Sequence, residues 1–276
     1  IPLLHPEFSN PLFLKLFCKG LSDSGMRRMP KGIEGLPRVF DFFLKSRNQR
    51  LARQDNLNYD PKQDLVGQAL KALANHFVVR GRGWTSRENA RTVVNAVFPT
   101  TTHDPSLFER LLSEGVLGEE QFYEEDTKAL VDGVRFAYER LQDYMIVGTF
   151  LDEKPADQPL LEWYKTGPCL ANAVEAALGR WNDCGLIQML AIVLPERFGV
   201  EVFQLLGEQA NTLIWRPAFL KSLVWRRGET VSQASVDYFI ACLNDRNSTD
   251  DALDLLICLG PRPDHPLNAR MLHRLL

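Results

Sequence analysis

Apolar residues along this chain recur mostly at three- and four-residue spacings, the period of a helix with one buried face. Between residues 10 and 20 the run Pro-Leu-Phe-Leu-Lys-Leu-Phe-Cys-Lys follows a capping pair, Ser9 and Asn10. It places Pro11 at the first helical position, where its missing N–H is no loss. A short, very apolar helix ending at Gly20 is predicted, then a polar turn over 22–37. Val39, Phe40, Phe42, Phe43 and Leu51, with basic residues between them, predict an amphipathic helix over 38–54. Pro61, after Tyr59 and Asp60, opens another, in which Leu65, Ala69, Leu70, Leu73, Ala74 and Phe77 share one face.

Ser86 starts a helix with Val93, Val94, Val97 and Phe98 apolar. Asp104-Pro105-Ser106 opens the next, through Leu107, Phe108, Leu111 and Leu112 to Gly115. Short helices followed by the segment 115–138 suggest a winged-helix layout, with 121–125 and 133–136 as the strands of the wing. From Tyr138 the pattern is helical again, first over 140–151. Residues 152–158 form a charged, proline-containing linker and a domain boundary. Beyond it, helices of about a dozen residues are predicted, with breaks at 167–168, 179–185, Pro195, 215–217, 244–250 and 260–266. The breaks are irregular, so no strict repeat period emerges, and loosely paired helices that bury their faces on the next pair fit an α-solenoid. The expected fold is mostly α: a helical domain over 1–80, a winged-helix-like domain over 81–151 and a helical-repeat region over 159–276.

Composition narrows the function without choosing it. The 276 residues carry 45% hydrophobic and 24% charged side chains, enough to bury a core. A net charge of −3 gives no bulk attraction to nucleic acid. Cys18, Cys169, Cys184, Cys242 and Cys258 are far apart, with no C-x-x-C pair. Cys18, Cys242 and Cys258 sit in apolar runs, which reads as small buried hydrophobes in a reducing cytosol. No apolar stretch approaches the ~20 residues that span a bilayer. The first residue is Ile, and Met271 to Leu276 reads as an unfinished helix, so a piece of a longer protein is expected. There is no G-x-x-x-x-G-K-[ST], H-E-x-x-H or G-x-S-x-G motif. Glu119-Glu120 and Glu124-Glu125 read as solvated loop charge, and His5, His76, His103, His265 and His273 as caps or packed side chains. A winged-helix DNA-binding regulator remains one alternative, although 104–114 sets Asp104, Glu109 and Glu114 against Arg110 alone. A helical-repeat scaffold without nucleotide contact is the other.

Two stretches are more specific: Phe8-Ser-Asn-Pro-Leu-Phe-Leu-Lys-Leu-Phe-Cys18 and Val134-Arg-Phe-Ala-Tyr-Glu-Arg-Leu-Gln-Asp-Tyr-Met145. Together they resemble the nucleotide-facing helical domain and the winged-helix domain of STAND NTPases of the NACHT type. In that class an Asn-Pro-Leu helix start sets its proline against the nucleotide base, and a later aromatic segment carries a phosphate-sensing residue. Phe136, Leu141, Gln142, Asp143 and Tyr144 match the second pattern. Tyr138 stands where many relatives have a histidine, and a tyrosine cannot become cationic near neutral pH. Arg135 or Arg140 then stands as the source of the missing charge. The resemblance therefore implies Asn10, Pro11, Tyr138, Arg135 and Arg140 as nucleotide-binding residues. A third set of stretches, 219–227, 262–269 and 272–275, resembles the bacterial antiviral STAND NTPases of the AVAST group. Such proteins carry an N-terminal effector, often a nuclease, a P-loop ATPase and a helical sensor. They bind a phage protein such as the large terminase subunit or portal and assemble around ATP, commonly as homo-tetramers. By this resemblance the chain is a cytoplasmic regulatory part with no catalytic residue of its own, and ATP and Mg²⁺ are held largely by parts outside it.

Overall fold

The computed structural model describes residues 11–26, 35–99, 105–124, 128–166, 184–207, 215–260, 262 and 265–268. Twelve α-helices and one three-stranded antiparallel sheet among them make a mostly α protein. The chain divides into two compact units, one of residues 15–29 and 40–152, the other of 1–14, 30–39 and 153–276.

In the first of these, α1 (Pro11–Asp23) contributes its C-terminal half and α2 (Leu36–Leu51) most of its length. Gly20 does not end α1 as predicted. A methyl group there would come within 3.2 Å of Ser46 Oγ, so this glycine lets α1 approach α2 closely. The helix ends instead in a Schellman arrangement: Met26 N–H donates to Leu21 O (2.9 Å), Gly25 N–H to Ser22 O (3.0 Å), and Gly25 has a φ of 64°. Pro61 likewise does not lead a full helix. It opens a 3₁₀ turn (Pro61–Gln63) capped by Asp60, and a left-handed Asp64 separates that turn from α3 (Leu65–Arg80). Asn48 ties these pieces together, donating to Pro61 O (2.7 Å) and accepting from the Tyr59 hydroxyl (2.8 Å).

After α3 come β1 (Thr85–Ser86), α4 (Arg87–Val97), α5 (Leu107–Ser113), β2 (Leu117–Glu124), β3 (Ala129–Phe136) and α6 (Glu139–Asp152). The sheet order is β1-β3-β2, with Thr85 opposite Val134 and Leu117 opposite Phe136. Helix, strand, two helices and a hairpin in this order make a winged helix. Both wing strands exceed the predicted segments, and residue 125 lies outside the described residues. Glu119 and Glu120 are therefore strand residues, not loop charge. The helices start where their caps dictate. Ser86 accepts from Asn89 N–H and Ser106 from Glu109 N–H, satisfying donors the first turn leaves free. All six residues predicted to share the α3 face are buried, and Phe77 meets Phe136 edge-on at 5.9 Å.

The other unit holds α7 (Leu160–Thr166), α8 (Cys184–Phe198), α9 (Val202–Leu206), α10 (Trp215–Leu223), α11 (Gln233–Asn244) and α12 (Thr249–Leu259). Residues 186–194 of α8 are buried without interruption, the mark of a helix covered on all sides. Pro195, predicted as a break, sits inside α8. It lies in the last turn, and the N–H it lacks would have served the Ala191 carbonyl one turn earlier. α10 packs on α8, and α12 packs on both α10 and α11. Phe203, Phe219 and Tyr238 bring α9, α10 and α11 together with ring centroids 4.9–5.2 Å apart. Cys242 is buried as expected, but Cys18 and Cys258 are exposed. Their neighbours in sequence are apolar, yet each lies on the outward side of its helix. No described helix is long and apolar enough to cross a membrane.

Candidate functional site

Asn10 lies outside the described residues, as do residues 269–276 and parts of the other resembling stretches. Pro11 is exposed at the first position of α1.

Tyr138 lies in the other unit, in the two-residue step between β3 and α6. It is 6% exposed and meets Phe40 edge-on at 5.8 Å, while Phe40 also meets Tyr144 at 5.5 Å. Its carbonyl accepts from Leu141 N–H (3.1 Å) and Gln142 N–H (3.2 Å), so the step closes directly into the first turn of α6. Gln142 is folded back, its side-chain oxygen accepting from Phe136 N–H at 3.5 Å. Tyr144 donates its hydroxyl proton to Asp41 at 2.7 Å. The residues that match the sensing motif are thereby buried: Phe136, Tyr138, Leu141, Gln142, Asp143 and Tyr144. Of the two arginines beside it, Arg135 projects from β3 and pairs with Glu120 at 2.8 Å, both side chains more than 40% exposed. Arg140 is half-buried in the first turn of α6. An exposed pair of this kind is worth little and yields readily to a stronger anion.

A second constellation was not foreseen from the sequence. Glu114, the residue that ends α5, accepts on Oε2 from Lys19 Nζ (2.7 Å) and Arg47 Nη1 (2.7 Å), while Arg50 Nε pairs with Oε1 (2.9 Å). Arg47 also pairs with Asp23, and Arg50 Nη1 reaches Asp23 Oδ1 at 2.9 Å. Burial pushes the Glu114 carboxyl up, but the Lys19 hydrogen bond and the charges of Lys19, Arg50 and Arg47 outweigh it and hold it below the ordinary range. Arg47 is fully buried, and its Nε has no partner among the described residues. Residues 67 and 95 positions apart in the chain meet here, a separation that no local pattern encodes.

The surface of the winged helix carries mixed charge. Arg87 and Arg91 both pair with Glu109 of α5, and Arg87 also pairs with Glu119. The helix that would read a DNA groove thus presents an acidic residue already engaged by α4, which leaves little for phosphates.

In the other unit a bidentate pair, Arg226 with Glu201 (2.8 and 2.9 Å), is completed by Ser232 and Ser235 hydroxyls on the same carboxylate. Nearby, burial pushes the Glu196 carboxyl up, against the opposing pull of Arg227, Arg226 and Arg38. Burial also pushes the His265 imidazole down, to about 3, helped by the charge of Arg262. His265 is therefore a neutral packed side chain, and among the described residues no group of three or more His, Cys, Asp or Glu can hold a metal ion.

Comparison with protein-family models, with curated proteins and with solved structures yields no match for this chain.

Proposed function

We propose that this chain is the regulatory and sensor-proximal part of an antiviral STAND NTPase, which senses a phage protein, binds ATP and oligomerises to switch on an effector. The observation that supports this most is the placement of the resembling segment 134–145. It forms the end of the winged-helix sheet, the step at Tyr138 and the first half of α6, where Leu141 to Tyr144 are buried. A nucleotide-sensing element has to be held rigidly for its contact to report on the ligand, and burial of seven of the twelve side chains over 134–145 is what a rigid element needs.

On this reading, exposed Pro11 would face the base of ATP, and the Tyr138 hydroxyl, Arg135 and Arg140 would lie toward the phosphates. The described residues fit such a role only as a supporting part. They offer a proline at a helix start, a hydroxyl and two arginines, but no P-loop and no metal-holding group. ATP, when bound, supplies the phosphate charge that distinguishes the resting from the assembled state. What this chain contributes is differential contact with those states, without which no ligand shifts an equilibrium. Helices beyond residue 159 would carry the phage-protein signal.

The rival is a helical scaffold with no nucleotide contact, in which Tyr138 and Phe40 are core aromatics only. The two separate in one experiment. The intact protein and its Pro11→Ala variant are purified, and the bound nucleotide is quantified with and without a phage terminase or portal. Bound ATP and target-dependent assembly, weakened by Pro11→Ala, support the switch. An intact protein that never retains nucleotide leaves the scaffold.

A further inference from the structure

Glu196, in the last turn of α8, holds a carboxyl that the fold seals off without fully answering it. Its side chain is 8% exposed, and Oε1 has no hydrogen-bond partner. Arg227 Nε stands 3.6 Å away, and the same guanidinium pairs with the exposed Glu229. The charges that face Glu196 are those of Arg227 and Arg226, after α10, and of Arg38, in the first turn of α2. Arg226 is already taken up by its bidentate pair with Glu201. Burial therefore outweighs the three arginines and pushes the carboxyl up. The start of α2 is what closes over Oε1. Gly35 has a φ of 84°, and a methyl group on it would stand 3.1 Å from Oε1 and 2.9 Å from Arg227 Cγ, so only glycine lets the backbone come this near. Leu36, the next residue, is fully buried and donates its N–H to Trp225 O at 3.2 Å. All these residues belong to one unit.

We propose that the turn at Gly35–Leu36 is a proton-coupled cover: it closes over Glu196 with the carboxyl protonated, and each opening lets the carboxyl give its proton to water. A cover that keeps water from a carboxyl favours the neutral form, so the neutral form favours the cover. When the turn lifts, Arg226 and Arg227 stay beside Glu196 and water is added, which makes the open state the more easily ionised. Closure is fully supported below the ordinary carboxylate range. That support is lost as pH rises to the raised value, and it levels off above it, where the carboxyl is ionised in both states. The opening is local, since the end of a helix lifts at a fraction of the cost of unfolding the unit.

Hydrogen exchange of the intact protein over about pH 4–7, corrected for the intrinsic rate at each pH, tests the cover, with the amides of α11 in the same unit as reference. In the unaltered chain the protection of the Leu36 amide falls as pH rises, by up to about tenfold per pH unit before it levels off, while α11 holds. In Glu196→Gln, a neutral isostere of the protonated acid, Leu36 protection is level across the range. Gly35→Ala lowers Leu36 protection already at the acid end, because the methyl group props the turn off Oε1. A fall that persists in Glu196→Gln, a level Leu36 in the unaltered chain, an unmoved Leu36 in Gly35→Ala, or α11 falling in step with Leu36 would each overturn the cover.

Discussion

At the scale of single residues, Tyr138 shows how substitutions need to be chosen. Its ring is packed against Phe40, so Tyr138→Ala leaves a cavity and costs about 3–5 kcal/mol, whatever the hydroxyl does. Tyr138→Phe keeps the ring and is expected to cost no more than about 1 kcal/mol, which urea unfolding of the two variants will verify. Only the phenylalanine variant can isolate the hydroxyl. Glu196 gives a pH prediction. Burial raises its pKa in the folded chain, so the native state holds a proton that the unfolded chain releases. The stability it contributes is full below the ordinary carboxylate range and is lost as pH rises through the raised folded value. Glu196→Gln stays neutral throughout, so its thermal midpoint should fall less than that of the unaltered chain over about pH 4–7. An identical decline in both would refute the assignment. The burial of Glu196 was not visible in the sequence, whereas Tyr138 could already be read as a core aromatic. The pairing of Arg47 with Glu114 was equally hidden, because it depends on where the ends of α2 and α5 meet.

Among the elements, local physical rules were the most legible. Serines before apolar runs marked the starts of α4 and α5, and their hydroxyls accept the expected backbone N–H. Ser86→Ala and Ser106→Ala should each destabilise by about 1 kcal/mol in chemical denaturation, since each removes one cap acceptor. Where the sequence misled, a neighbour or a local exception overruled the local signal. Gly20 looked like a stop and is a point of close approach to Ser46. Pro195 looked like a break and falls in a last turn. β1 is two residues long and merges into a helix cap, so it offers no alternation to read. Gly133 was read only as the start of a wing strand, with no reason for a glycine there. In the fold it lies beneath the Trp84–Phe122 stack, whose rings are 4.5 Å apart and almost parallel. A methyl group there would sit 2.7 Å from Trp84 Cε3. Gly133→Ala must therefore displace the stack, with an expected cost of about 1–3 kcal/mol and a shift in the near-ultraviolet signal of Trp84. A silent Gly133→Ala would show that the stack is not held there.

For the whole molecule, the mostly α character and the winged-helix order followed from periodicity and caps, whereas function came only from resemblance. Pattern alone could not supply it, because a fold hosts many activities and the site decides among them. Pro11 is exposed at the start of α1, whereas Tyr138 is buried within its own unit. The most direct measurement is the nucleotide released on denaturing the purified intact protein, compared among the unaltered chain, Pro11→Ala and Tyr138→Phe. The switch account predicts bound ATP or ADP in the unaltered protein and a clear loss in at least one variant that remains folded. Equal nucleotide in all three would remove these residues from the contact, and none in any of them would contradict the account as a whole.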